Sequence, residues 1–521
     1  MSPGRRDWDV IVIGSGFGGA FVADPLVRSG ARVLMLERGG HVTRGPHNWA
    51  AQGSMDLTPY ATGEAAFRAE AGGQNPVMHV TGCVGGQSVF YGGVSFRMRE
   101  RDFEPDPDIV GDSGALWPIG YADLETYYAD VEKRLDVAGI AGADPTEPDR
   151  RGEPYPQAPP PFSPTAKRVA DAGRELGLKP FPLPLAIHYR KEEGREGCIA
   201  CPTCDTFACA IGAKNDLATG VIPDLVRRGL ELRPHMAVVG LHEKGGRIAE
   251  VECIDRTRAV RVSFTAATVI LAGGAIASPH LLLATGLAGK NPAGDAVGRY
   301  LCRHVNGIAL GCFASLPDGG KQFHKQVGFH DFYYGHERVT TPRGRLGSVQ
   351  SLQTPPLALV QANAPRLVAP FLGPGVRRLT GLLVMAEDQP RPENRVRLGA
   401  DARDQFGLPL PVVRQIYTER DEQARRALFR EAGRVLKRAG AMFVYNHKIR
   451  TFSHVCGTVR MGDDPKRNPL DRFCRFRGVE NLLVVDASFF PTAGGVNPSL
   501  TIAANALRVG QALVHGLPAQ A

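Results

Sequence analysis

Apolar positions in this chain gather into short runs, and the spacing within each run predicts a particular element. Residues 9–13, Asp9-Val10-Ile11-Val12-Ile13, are long and β-rich enough for a buried parallel strand. A glycine-rich turn follows, then the helix-like stretch AFVADPLVRSG ending in Gly30, then a second apolar run from Ala31 to Leu36 that closes on Glu37. Near the other end, Leu482 to Val485 is a further run of the buried-strand type, ending in Asp486. Trp117 to Leu124 reads as a turn, with Asp123 a possible cap for the amphipathic helix in ETYYADVEKRLDVAG. Steps of four through Arg426, Arg430 and Arg434, beside Arg425, Lys437 and Arg438, predict the solvated face of a helix. From about Gly307 to Tyr445 the pattern is strand-rich: VGFHDFYY, RLGSVQSL, GLLVMAED and NRVRL read as one antiparallel sheet. The Pro-rich stretch 154–164 reads as a strap rather than a domain linker, since a helical pattern returns at Thr165. There is no internal repeat, and no stretch of about 18 uninterrupted apolar residues that could span a membrane.

Composition narrows the class. A chain of 521 residues exceeds what one core organises, so two structural domains are expected. The 62 glycines and 40 prolines favour tight turns and shaped loops, which suits a cofactor enzyme better than a helical bundle. The formal charge is +9, but Lys and Arg are scattered rather than set in a block with aromatics. That argues against a nucleic-acid partner and for a mildly basic surface that attracts anions. The start, MSPGRRDWDV, has no apolar h-region or cleavage site, so no signal peptide is expected. Six single cysteines (Cys83, Cys253, Cys302, Cys312, Cys456 and Cys474) read as reduced and mostly buried, as in a cytoplasmic protein.

The first turn carries the first chemistry. Gly14-Ser15-Gly16-Phe17-Gly18-Gly19 sits between the first strand and the helix, and Glu37 falls 21 positions beyond Gly16. Gly14 makes the tight turn, Gly16 lets a pyrophosphate approach the backbone, and Gly19 lets helix and strand pack closely. The helix N-terminus faces the phosphates, and Glu37 can accept from the adenosine ribose. With every part of the β-α-β unit present, a dinucleotide site is expected, but this motif does not separate FAD from NAD.

The remaining motifs do. Gly82-Cys83-Val84-Gly85-Gly86-Gln87-Ser88-Val89-Phe90-Tyr91-Gly92-Gly93, the mid-chain AGGAIASPHLLLATGL, DAVGRYLCRH, FSHVCGTVRMG and VVDASFFPTAGGVNPSLTIAANAL occur in that order. Together they resemble the glucose-methanol-choline (GMC) flavoenzymes over most of the chain. The sequence departs from the family pattern at Thr285, Ala288 and Arg303, where Ser, Gly and Asp are usual. The resemblance implies an α/β fold: a Rossmann-like FAD-binding domain and an α+β substrate domain with an antiparallel sheet, as in p-hydroxybenzoate hydroxylase. The cofactor domain would comprise residues 1–110, 196–300 and 448–521, and the substrate domain 111–195 and 301–447. FAD contacts are implied for Gly14, Gly16, Gly18, Gly19, Glu37, Gly85, Gly86, Ser88, Tyr91, Val238, Asp486 and Pro498. Asp486 would lie by the ribityl and phosphate groups, or cap the segment that follows it.

The same resemblance implies that His454 and Asn497 face the substrate beside the flavin. An imidazole suits removal of a hydroxyl proton at neutral pH, and an amide can donate to the developing alkoxide without titrating. His304 falls at a structural histidine of the family. Covalent-flavin relatives carry a histidine where this chain has Phe90, followed here by Tyr91, so non-covalent FAD is expected. The implied reaction is oxidation of a small-molecule alcohol, sugar-like or aminoglycoside-like. An aliphatic or sterol alcohol and a non-redox lyase activity stand as alternatives, and oxygen, a quinone or a redox protein as electron acceptor. For a cationic aminosugar, Glu387 and Asp388 are candidate acids, unless they pair with Arg391 or Arg395. Cys198, Cys201, Cys204 and Cys209 have a spacing that could hold an iron–sulfur cluster or zinc, or could be free thiols or local disulfides.

Overall fold

The structure, a computed structural model, describes residues 7–50, 53–54, 66–70, 77–79, 81–150, 152–192, 194–317, 325–352, 354, 356–357, 360–361 and 373–518. The first six residues, read above for a leader, lie outside them. Four sheets organise the chain. The first is wholly parallel, in the order Leu482–Val484, Ala266–Leu271, Trp8–Ile13, Val33–Leu36, Glu231–Arg233. Its strands are near-continuous apolar runs because helices and loops cover both faces, leaving Ile11, Val12, Leu34 and Ile270 out of solvent. The helix Phe17–Arg28 covers one face and packs on the C-terminal helix Ser499–His515. Their approach is close enough that a Cβ on Gly510 would lie 2.6 Å from the Val22 carbonyl oxygen.

A three-stranded antiparallel sheet, Met236–Lys244, Arg247–Asp255 and Val260–Phe264, follows the edge strand. A six-stranded sheet has the order Ala441–Lys448, Val305–Phe313, Leu379–Ala386, Gly347–Leu352, Val327–Phe329, Phe181–Pro182. The helices Pro164–Glu175 and Glu419–Arg438 lie on it, burying Val169, Leu428, Val435 and Leu436 against Ala309, Phe313 and Leu382. On the longer helix Arg426, Arg430, Arg434, Lys437 and Arg438 are exposed, as their spacing predicts, whereas Arg425 is buried beside Phe429 and paired with Glu422. Pro164 takes the first helical position behind Ser163, whose hydroxyl accepts from the Ala166 N–H at 3.2 Å.

Three expectations are corrected. NRVRL does not join the six-stranded sheet. It forms Arg395–Arg403 in a fourth sheet with Pro409–Arg414, Ala66–Glu70 and Val77–His79. Alternation predicts a strand but not its partner, and Val396 and Val413 find Phe67 and Ile276 in a small core of their own. In VGFHDFYY only Val327–Phe329 is extended; the His330 ring nitrogen bonds Asp144 at 2.8 Å and the chain turns there. Asp123 closes the turn Tyr121–Asp123, accepting from the Gly120 N–H at 2.8 Å, and does not cap the helix Glu125–Arg134 itself. Among the described residues no helix is long and apolar enough to cross a membrane.

Candidate active site

A cavity of about 630 Å³ opens at the carboxyl end of the parallel sheet, where open α/β sheets bind their ligands. Its floor is the glycine turn. Gly14 has φ +106°, and a Cβ there would lie 2.4 Å from the Ala272 carbonyl oxygen. A Cβ on Gly18 would meet the Val485 carbonyl oxygen at 2.6 Å, and one on Gly19 the Gly14 carbonyl oxygen at 2.0 Å. These three glycines answer to the protein's own packing. Gly16 does not: apart from its own and its chain neighbours' atoms, nothing lies within 4 Å of the position its Cβ would take, so its bareness faces the cavity.

Around the turn the polar groups are tied to one another. The Glu37 carboxylate accepts from the Ser15 hydroxyl at 2.6 Å and from the N–H of Ser15 and Gly39 at 3.1 and 2.9 Å. Ser15 in turn accepts from the Gly85 N–H at 3.0 Å, which fixes the loop at residues 82–93 over the turn. Gly85 and Gly86 both have positive φ, at +89° and +56°. Ser88 donates to the Gly85 carbonyl and Tyr91 to that of Asn215, at 2.6 and 2.8 Å. Asp486 accepts from the Gly274 and Ser488 N–H groups, each at 2.9 Å, so it caps the next turn and also crosses to residues 274–278. Val238 and Pro498 line the same cavity.

Both His454 and Asn497 reach that cavity. Cys302 and Cys456 exchange two backbone hydrogen bonds, at 3.0 and 2.8 Å, and this register sets His304 opposite His454. Each histidine has φ +60°, a left-handed conformation uncommon for residues other than glycine. A directional chain of hydrogen bonds links them. The His304 Nε2 lies 2.8 Å from the Gly494 carbonyl oxygen, which can only accept, so Nε2 carries the proton. In a neutral ring the His304 Nδ1 is then an acceptor, and the His454 Nδ1, 3.2 Å away, must donate to it. That leaves the His454 Nε2 with a lone pair, 3.3 Å from the Asn497 Nδ2. Asn497 is oriented by Gln350, whose Nε2 donates to its Oδ1 at 2.8 Å. Burial holds the His454 pKa well below the ordinary imidazole value, with the nearby His304 and Lys325 adding to the effect, so the ring is neutral. Burial lowers that of His304 as well, against the opposing Gly494 carbonyl.

Sequence reasoning missed Gln350, although polar residues at 348 and 350 in a wholly buried strand were a signal. It also placed two acids wrongly. Glu387 and Asp388 do not line the cavity, nor do they pair with Arg391 or Arg395. Glu387 is bound by Arg345 at 2.8 and 3.2 Å and accepts from the Gly494 N–H at 3.0 Å. Asp388 accepts from the N–H groups of Arg303 and His304, both at 3.0 Å, and burial raises its pKa to about 6. Their part is to hold the segments that carry His304 and Gly494. Arg303, one of the departures from the family pattern, stacks on Phe452 with its guanidinium carbon 4.4 Å from the ring centre. Cys198, Cys201, Cys204 and Cys209 are free thiols, and among the described residues no group of three or more His, Cys, Asp or Glu is arranged to hold a metal ion. Burial pushes the Cys198 thiol up to about 11 and raises that of Cys204.

A dinucleotide cradle that shares its cavity with a neutral imidazole is the arrangement of an enzyme with a nucleotide cofactor. Family models described as GMC oxidoreductase match residues 9–306 and 390–506. The chain is 32% identical to 6'''-hydroxyparomomycin C oxidase of Streptomyces lividus, over 100% of this chain and 94% of that one. It is also 32% identical to paromamine 6'-oxidase of Streptomyces fradiae, over 98% and 92%. The fructose dehydrogenase large subunit of Gluconobacter japonicus is 26% identical, over 99% of both. Among solved structures, pyridoxine 4-oxidase from Mesorbium loti shares the fold with a TM-score of 0.66 at 21% identity, covering 98% of this chain and 100% of that one. The chain belongs to the GMC oxidoreductase family and is an FAD-dependent oxidoreductase acting on alcohols. The site fits that cofactor: the uncrowded Gly16, the acid at the end of the second strand and the buried Asp486 all face one cavity.

Proposed function

We propose that this enzyme oxidises a hydroxyl group of a sugar-like or aminoglycoside-like alcohol, with His454 as general base and Asn497 as hydrogen-bond donor to the substrate oxygen. One observation carries the reading: the hydrogen-bond chain from Gly494 leaves an unprotonated nitrogen, His454 Nε2, at the cavity wall. Two relatives named for aminoglycosides, matched over nearly their full length, support the substrate class. FAD, when bound, supplies the hydride acceptor. Residues 14–19, Glu37, the loop at 85–91, Val238, Asp486 and Pro498 would hold it, within a cofactor domain of residues 1–110, 196–300 and 448–521. The substrate domain is then 111–195 and 301–447. His454 Nε2 takes the hydroxyl proton while Nδ1 keeps donating to His304, so the ring need not turn to change charge. The Asn497 amide, pinned at its oxygen by Gln350, presents its N–H to the oxygen that gains negative charge. Ten unpaired cysteines suit work in a reducing compartment such as the cytoplasm.

Anaerobic titration with sugars, aminoglycosides and aliphatic or sterol alcohols tests the proposal, the expected result being that the polyhydroxylated compounds bleach the flavin absorbance. Bleaching by hydrophobic alcohols alone would overturn the substrate class, and bleaching by none the alcohol chemistry. Admitting oxygen, then a soluble quinone, to the bleached enzyme identifies the acceptor. A second expectation concerns attachment. Phe90 has no nucleophilic atom to bond a flavin, so acid precipitation is expected to release all the yellow colour. Colour left in the pellet would refute non-covalent binding.

A further inference from the structure

The cysteine-bearing loop has a use that needs no metal. The Thr206 N–H bonds the Phe90 carbonyl at 2.8 Å, which docks the loop on the segment at residues 82–93, and the Ala208 N–H bonds the Gly53 carbonyl at 2.9 Å. This brings Asp205 and Thr206 into the cavity that His454 and Asn497 reach. Lys325 arrives there from the other side and pairs with Asp205 at 2.9 Å, its side chain only 7% exposed. Gly92 leaves room for the pair: a Cβ there would lie 3.0 Å from the Asp205 Oδ1.

Three features of this corner are unexplained by folding alone. An ammonium has three N–H donors, and Asp205 takes one of them. The Thr206 hydroxyl is out of solvent contact and has no hydrogen-bond partner among the described residues. Thr206 also has φ +68°, a conformation in which a β-branched residue is strained, and such strain concentrates at ligand sites. All three residues, Asp205, Thr206 and Lys325, line the cavity.

We infer that Asp205, Thr206 and Lys325 form a subsite that reads adjacent hydroxyl groups on the substrate, accepting from one and donating to the next. The inference rests on the alcohol-oxidising reading above and adds a substrate class to it: vicinal diols and polyols over mono-alcohols. The carboxylate is already neutralised by Lys325, so the subsite selects for paired hydroxyls and not for a positive charge. Lys325 also connects the subsite to the reaction, because its charge is one of the influences that keep His454 neutral.

The experiment compares wild type with Asp205→Asn, Thr206→Val and Lys325→Met, all as FAD-loaded full-length enzyme. Anaerobic flavin reduction is measured with a methyl hexoside and with each of its monodeoxy analogues. In wild type, removing one particular ring hydroxyl should lower the second-order rate by about 10- to 100-fold, the range for losing a hydrogen bond to a charged group. The Asp205 and Lys325 variants should lose a similar factor with the parent sugar, and the two losses should not multiply when combined. Losses that multiply, or equal losses for every analogue, would overturn the inference, as would variants that release FAD. If wild type is bleached by no alcohol, it is the underlying function that has failed. Asp205→Asn preserves shape, so its result stands even where Lys325→Met does not fold.

Discussion

His454→Ala is expected to slow flavin reduction by about a thousandfold, within the range for removal of a general base, while the purified variant stays yellow. The two halves of that expectation have separate origins. The rate falls because the lone pair at Nε2 is lost. The cofactor stays because none of the hydrogen bonds that tie Ser15, Glu37, Gly85 and Asp486 together involves His454. Stopped-flow reduction with a saturating sugar, beside the absorbance spectrum of the resting variant, measures both. A colourless variant would place His454 in the cofactor site, and an unchanged rate would remove it from the mechanism. The pH profile of wild type adds an independent reading. Burial, His304 and Lys325 all lower the His454 pKa, so the base form persists below the ordinary imidazole value of about 6.5. The reduction rate should therefore stay flat as pH falls through 6.5 and drop only in more acidic solution. A fall centred near 6.5 would mean a solvent-exposed imidazole and contradict the buried pair.

What the sequence disclosed is what local rules govern. The βαβ unit is legible because its parts are contiguous: an apolar run, a glycine turn whose members are demanded by contacts within a few ångströms, a helix, and an acid at the next strand end. The basic stripe from Arg426 to Arg438 is legible for the same reason, since one helix sets its period. His304 is different. It lies 150 residues from His454, and the pairing of its segment with the one before Cys456, through the Cys302–Cys456 bridge and the strand contacts beside it, brings the two rings together. Nothing in the local pattern announces that register, and both histidines adopt a conformation that propensity disfavours. Glu387 and Asp388 were misplaced for a related reason. At the end of a strand the direction of a carboxylate is decided by which backbone N–H groups its neighbours leave unpaired, and here the strand Val305–Phe313 leaves those of Arg303 and His304. Asp205 has no local signal of its own, since its importance depends on Lys325, which lies 120 positions away in sequence.

Asn497→Asp should be nearly as damaging as loss of the base, and in a way that pH exposes. The substitution keeps the shape of the side chain, and one carboxylate oxygen can still accept from Gln350. The other takes the place of the amide nitrogen, 3.3 Å from the His454 Nε2. A carboxylate offers no proton there, so contact is favourable only if Nε2 acquires one. At an effective dielectric of about 20 the attraction between the two charges is about 5 kcal/mol at such a separation. That opposes the burial and the positive charges that hold His454 neutral, and raises its pKa. The base is then occupied at neutral pH, and flavin reduction should fall by roughly 100- to 1,000-fold. Because a raised pKa leaves the base protonated below it and frees it above, part of the loss should return as pH increases, where wild type is flat. Reduction rates of both proteins across the alkaline range decide the matter. Recovery assigns the loss to a captured proton on His454; an equal deficit at every pH assigns it to repulsion between the new carboxylate and the substrate oxygen. An undiminished rate at neutral pH would show that the amide at position 497 neither orients the substrate nor protects the lone pair of the base.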